Sequence, residues 1–311
     1  MSILRFGANM RILFIALTFF LVSCQDVGSG KFDGEKAMEY LVQQVDIGYR
    51  HPGSPGHAEA KEFYMKFLQS YADTVIRQDF EQLVERDSVT FDLTNIIAGF
   101  NVEKGNGLLI GAHWDTRPRA EYDPDPSKRD QPILGANDGA SGIAVLMHLA
   151  ELLHNRDTDR AVYLVFFDGE DYGYHGSDEY FCMGSKYFAA NLPVNNITEG
   201  IIVDMIGDAH LEIPIERNSY KYHKQLVREI WQIAEDRGFD AYQNHLGFEI
   251  YDDHVPLNEI AGIPTINLID FTYPDQFTNY WHTHADTPDK CSPESLYQVG
   301  QVVLDYILKE R

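Results

Sequence analysis

The stretch Val162–Ser185, VYLVFFDGEDYGYHGSDEYFCMGS, constrains this chain more than any other. Six consecutive apolar residues, Val162 to Phe167, read as a strand buried on both faces, as in a parallel sheet covered by helices. The run breaks at Asp168-Gly169 and delivers two adjacent carboxylates, Glu170 and Asp171. In an open α/β sheet, ligands bind outside the carboxyl ends of the strands. A solvated turn would account for two acids standing alone, but similar acids and histidines recur at other strand ends.

Gly107–Ala112 (GLLIGA) is another apolar strand, and it runs into His113-Trp114-Asp115. A histidine at such a strand end, with an acid two residues on, suits a ligand or a hydrogen-bonding neighbour of one. Asp138 lies among small residues in LGANDGASG, directly before an amphipathic helix expected over Ile143–Asn155. An N-cap aspartate is the plain alternative there. The strand GIIVDMIGD carries Asp204 inside it, costly for an ionised carboxylate unless paired or metal-bound. His282 lies in YWHTHADT, after a strand expected over Ile263–Ile269. Together His113, Asp138, Glu170, Asp171, Asp204 and His282 form a histidine/carboxylate set of the kind that binds zinc.

The remaining elements read as scaffold. GSPG turns into a helix with apolar residues at Ala60, Phe63, Tyr64, Phe67 and Leu68. Residues 73–99 read as two strands, Tyr220–Arg237 as a surface helix and Glu294–Leu308 as a closing helix. No repeat or second composition change divides the chain, so residues 37–311 are expected to form a single α/β domain.

The amino terminus is different. Arg5 and Arg11 precede an uncharged run, Ile12–Val22, too short to span a bilayer and suited to the apolar region of a signal peptide. It ends in Leu21-Val22-Ser23-Cys24, which resembles a bacterial lipobox. Residues 1–23 are therefore expected to be removed, Cys24 to be lipidated and residues 24–36 to serve as a flexible tether. The protein would be exported and anchored to the cell envelope. A net charge of −23 disfavours nucleic acid or an anionic membrane surface as partner. Beyond Cys24 only Cys182 and Cys291 remain; they match no zinc knuckle and leave at most one bridge between them.

The motifs GSPG, GAHWD, GANDGASG, FFDGED, VDMIGD, DDHVP and WHTHADT, in this order, resemble zinc-dependent exopeptidases of the M28 type and their relatives, the glutaminyl-peptide cyclotransferases. The resemblance covers residues from about 37 to 311. It implies a twisted mixed β-sheet flanked by helices, of the phosphorylase/hydrolase-like kind. Three features resemble the cyclotransferase branch: the insertion Tyr172–Met183 after the paired acids, the doubled Asp252-Asp253, and Trp281 before His282. The resemblance then implies zinc held by Asp138, Asp171 and His282, Glu170 as general acid/base, Asp252 as second catalytic carboxylate and Trp281 against the substrate side chain. His113 and Asp204 would line a single-zinc site, or hold a second zinc if the chain is an aminopeptidase. Substrates would be peptides and proteins with a free amino terminus, and the protein a monomer.

Two departures stand out. Asp171 replaces the glutamate that cyclotransferases usually carry, and Gly176 sits near the position of an insertion tryptophan, with Tyr172, Tyr174 and His175 as candidate substitutes. A non-catalytic binding lipoprotein is a third reading, disfavoured by the intact acid set.

Overall fold

The computed structural model describes residues 31–309. The signal segment and Cys24 lie outside the described residues.

Packed structure starts earlier than a tether through residue 36 would allow. Phe32 is buried and fills space left by Gly300, where a Cβ would lie 2.4 Å from its ring. Helix α1 (Gly34–Asp46) follows, capped by Asp33 accepting from the Lys36 N–H. It buries Ala37, Tyr40, Leu41, Gln44 and Val45, one helical stripe. Helix α2 (Pro55–Leu68) has Ser54 as N-cap and Pro55 in its first turn, as the GSPG signal suggests.

Strands β1 (Thr74–Val84) and β2 (Val89–Phe100) form an antiparallel hairpin, and β3 (Gly107–His113) is buried throughout. Helix α3 (Ala140–Leu153) leads to β4 (Val162–Phe167), and α4 (Met183–Ala190) to β5 (Ile197–Asp204). Next come β6 (Ile213–Ile215), α5 (Arg217–Tyr222), α6 (Lys224–Arg237) and β7 (Tyr242–Leu246). Helix α7 (His254–Glu259), β8 (Thr265–Ile269) and α8 (Pro293–Leu308) complete the order.

The main sheet has six strands in the order β1-β2-β4-β3-β5-β8. The hairpin side is antiparallel, whereas β4, β3, β5 and β8 run parallel. Alternate residues go to opposite cores, as the two-residue period of a strand requires. Leu108, Ile110 and Ala112 join the larger core under α1, α3 and α8, while Leu109 joins Phe188 of α4 and Leu257 of α7 on the other face. Coverage on both faces explains why β3 and β4 read as unbroken apolar runs. From β3 the chain crosses to β4 on one side, and from β4 it crosses back to β5 on the other. This reversal places the carboxyl ends of β3 and β5 at a topological switch point, where open α/β sheets bind ligands.

Three expectations are corrected. Helix α3 begins at Ala140, not Ile143, because Ala140, Ser141 and Gly142 are small enough to continue the helix against β5. A Cβ on Gly142 would stand 2.4 Å from the Val203 carbonyl oxygen. The helix expected over 220–237 is broken at His223, whose φ of −144° and ψ of 65° separate α5 from α6. The strand before His282 starts at Thr265, since Pro264 has no N–H for the ladder. Cys182 and Cys291 are both free and buried, so no bridge links them.

Candidate active site

β3 and β5 bring His113 and Asp204 together, with His113 Nε2 3.1 Å from Asp204 Oδ1. The same nitrogen lies 3.2 Å from Asp138 Oδ1. The other Asp138 oxygen lies 3.5 Å from His282 Nε2, which is 3.2 Å from Asp171 Oδ1. Asp138 thus sits between two histidines, and two candidate ligand sets share it: Asp138, Asp171 and His282, and His113, Asp138 and Asp204. In each set the donor atoms lie within 4.8 Å of one another.

Asp138 does not cap α3. Gly139 is the N-cap, at φ 102°, and a Cβ there would come within 2.6 Å of the Asp115 carbonyl oxygen. Only glycine fits this close approach. The Asp138 carboxylate is left facing the histidines, while its backbone is fixed by Asp286, which accepts from the N–H groups of Asn137 (2.8 Å) and Asp138 (3.1 Å). His282 itself has a left-handed backbone, φ 54°, strain of the sort that persists only where surroundings enforce it.

Several supporting residues have no role that the motifs assign. Asp115 accepts from the N–H groups of Glu170 (2.9 Å) and Asp171 (3.2 Å) and so fixes the turn after β4. Arg117 donates to Asp171 Oδ1 at 3.1 Å and to its carbonyl at 2.8 Å, and also pairs with Glu121. Glu121 in turn lies 3.5 Å from His282 Nδ1. Apart from the Arg117–Glu121 pair, four residues apart, these contacts link positions more than 50 apart along the chain, so no local spacing announces them.

Electrostatics distinguish the carboxylates. Burial alone would raise the Asp171 pKa, but His282 and Arg117 outweigh it and hold the group below the ordinary range. Burial and the facing Asp171 push Asp138 up to about 7. Glu170 is driven well above the usual glutamate range by burial, with Asp171 and Asp252 adding to the rise. Burial and Asp204 raise Asp252 to about 6. Burial would make His113 a weaker base, but Asp115, Asp138 and Asp204 shift it the other way, well above 6.5.

So many buried acids are costly unless something positive joins them. Asp138 Oδ2 and Asp171 Oδ2 are buried without a hydrogen-bond partner. Two such oxygens beside an imidazole nitrogen make a donor set that fits zinc.

Glu170 lies beside this set. Its Oε1 accepts from the Cys182 thiol at 3.4 Å, and its carbonyl accepts from the Cys182 N–H at 2.8 Å. Asp252 accepts from Asn267 Nδ2 (2.5 Å) and from the Asp253 N–H (2.5 Å). Asp253, buried, accepts from Ser185 Oγ at 2.5 Å. Glu170, Asp252, Trp281 and the ligand candidates Asp138, Asp171, Asp204 and His282 all line one cavity of about 260 Å³. Trp281 stacks on His282 at 3.8 Å between ring centroids.

The insertion contributes differently from expectation. The hydroxyls of Tyr172 and Tyr174 both donate to Asp87, and His175 pairs with Tyr122, so none of the three lines the cavity. Asp178 and Phe181 do instead. The tyrosines are recruited by a carboxylate on the β1–β2 hairpin, which their own sequence does not reveal.

The segment carrying Asp252 is held by Glu216. This buried carboxylate accepts from the N–H groups of Ile250 (3.0 Å), Asn218 (2.8 Å) and Ser219 (2.5 Å), and lies 3.2 Å from His254 Nε2. Burial opposes ionisation, but His254 and the backbone donors prevail and hold the pKa at about 2, against an ordinary 4.5. A depressed carboxylate contributes stability that is present above its unfolded value and lost as pH falls through its folded one. The contribution should therefore disappear between about 4.5 and about 2. Glu216→Gln is expected to lower Tm at neutral pH and to flatten the acid limb of the Tm–pH curve in that window. An unchanged limb in thermal melts would contradict this.

With the geometry established, comparison with known proteins places the chain. The model of Peptidase family M28 matches residues 95–307. This chain belongs to peptidase family M28. Among curated relatives, the M28 chain is 25% identical to the glutaminyl-peptide cyclotransferase of Bos taurus over 295 residues, 83% of this chain and 78% of the bovine protein. Among solved structures it resembles the glutaminyl cyclase of Bacteroides thetaiotaomicron, with a TM-score of 0.86, 32% identity and coverage of 90% and 99%. A Zn-dependent exopeptidase of Parabacteroides distasonis matches with a TM-score of 0.86, 30% identity and coverage of 90% and 99%. The M28 fold is thus the single α/β domain with a mixed sheet that the motifs imply.

Proposed function

We propose that this chain is a glutaminyl-peptide cyclotransferase, converting an amino-terminal glutamine to pyroglutamate with release of ammonia. The reading rests on one observation above all. Glu170 and Asp252 share a small, largely buried cavity with the zinc-fitting set Asp138, Asp171 and His282. Similarity along most of the chain to cyclotransferases supports it.

Zinc held by Asp138, Asp171 and His282 would supply Lewis-acid polarisation of the γ-amide carbonyl. Glu170 takes a proton from the α-amine as the amine nitrogen bonds to the carbonyl carbon (Cδ) of the γ-amide. It then returns that proton to the departing amide nitrogen as the carbon–nitrogen bond breaks, and ammonia leaves. A carboxyl whose affinity for protons is raised by burial suits both steps. Asp252, fixed by Asn267, holds protons within the same cavity, and Trp281 packs against the folded side chain. Both reacting groups belong to one residue, so the cavity's main task is to hold a near-attack shape.

A zinc aminopeptidase is the second reading, favoured by the set His113, Asp138 and Asp204, which shares Asp138 with the first. There His113 and Asp204 would hold a second zinc. Zinc content and product separate the two: the cyclotransferase carries one zinc per chain and releases ammonia from a peptide beginning with glutamine. Two zinc ions and free glutamine would favour the aminopeptidase.

The substrates are peptides and proteins with a free amino terminus. Residues 1–23 serve as a signal peptide and Cys24 as a lipid attachment point, and the exported protein acts as a monomer anchored to the cell envelope. Among the described residues no helix is long and apolar enough to cross a membrane.

A further inference from the structure

Beyond Trp281 the cavity opens into a second, larger hollow of about 1080 Å³. One wall comes from β7 and the residues after it, through Glu249; the other is the loop 271–279. The two hollows are contiguous, since Glu249 and Phe271 line both. A series of aromatic rings crosses the junction: Trp281 to Phe271 at 5.0 Å, then Phe271 to Phe248 at 6.3 Å.

The outer hollow exposes apolar side chains. Phe248 is 60% exposed, Leu246 46% and Phe277 99%. Each leaves apolar surface in water that a ligand could cover. The same hollow is acidic, lined by Glu212, Glu249 and Asp275 against Arg217 and His245. The backbone N–H groups of Phe277 and Thr278 both donate to Asp275, which keeps it ionised.

The inner cavity, at about 260 Å³, has room for one folded residue and little more. A peptide that places its first residue there must leave through the mouth, at about 3.3 Å per residue in extended form. The residues behind it then meet the aromatic rings and the acids.

We propose that this hollow is a subsite for the substrate chain behind the cyclising residue, selecting extended segments that carry apolar and Lys or Arg side chains. The inference rests on the cyclotransferase reading and deepens it: Phe248, Phe277 and the acidic rim determine which peptides are preferred.

The test compares kcat/KM for three substrates: the dipeptide Gln-Ala, the peptide Gln-Ala-Phe-Lys-Phe-Lys and its counterpart Gln-Ala-Phe-Glu-Phe-Glu. The lysine peptide is expected to exceed the dipeptide by about tenfold, mainly through KM, and the glutamate peptide to lose that advantage. Phe277→Ser and Phe248→Ser should each reduce the lysine-peptide value about threefold or more while leaving Gln-Ala turnover unchanged. Equal values for all three substrates, or variants that keep the full advantage, would overturn the subsite and leave cyclisation intact. No ammonia from any substrate would overturn the cyclotransferase reading and this inference with it.

Discussion

Glu170→Gln is expected to reduce turnover by a factor of about 100 or more while zinc stays bound. Glutamine has the same shape but can neither accept the amine proton nor return it to the leaving nitrogen. The backbone around it is held independently, by Asp115 on the N–H side and by the Cys182 N–H on the carbonyl side. The fold should therefore survive the change. Replacing a buried acid that resists ionisation should also cost little stability. Near-normal turnover in this variant would remove Glu170 from its assigned role.

Asp171→Ala acts on the metal instead. It deletes a donor atom from the set of three and leaves Asp138 and His282 alone to hold the ion. Zinc affinity is expected to fall by a factor of about 100 or more, and activity with it. Arg117 loses one contact but keeps the Asp171 carbonyl and Glu121, so the loop after β4 remains anchored. Asp171→Glu is the informative companion, because it keeps a carboxylate on a longer arm. Elemental analysis of the dialysed proteins should show zinc lost in the alanine variant and retained in the glutamate one. Full zinc in Asp171→Ala would place the metal elsewhere.

Much of this site could be read from the sequence because its residues sit where local patterns change. Val162–Phe167 is apolar throughout since helices cover both faces of the sheet, and the acids appear where that cover ends. His113 is likewise the last residue of a buried strand, and Asp204 ends β5 instead of lying inside a longer strand as its apolar neighbours suggest. The order of such ends along the chain was enough to suggest a shared site.

The missing parts depend on contacts between distant segments. Asp115 stands out in the sequence only as an acid two residues after His113, yet two backbone N–H groups some 55 positions away define its role. Glu216 has no signal of its own in the sequence; in the structure it caps α5 and is also reached by Ile250 and His254 from a distant segment. Gly34, Glu35 and Lys36 are polar or small and so resemble a tether, while the anchor that fixes them is Phe32 against Gly300. The outer hollow joins a loop to a short strand of a separate two-stranded sheet, and neither has a strong period.

The most direct test is the mass of the product formed when the purified protein acts on a peptide beginning Gln-Ala. A peptide lighter by one ammonia and otherwise intact is the predicted result. Free glutamine with a peptide shortened by one residue would contradict the cyclotransferase and establish hydrolysis at the same zinc-fitting site.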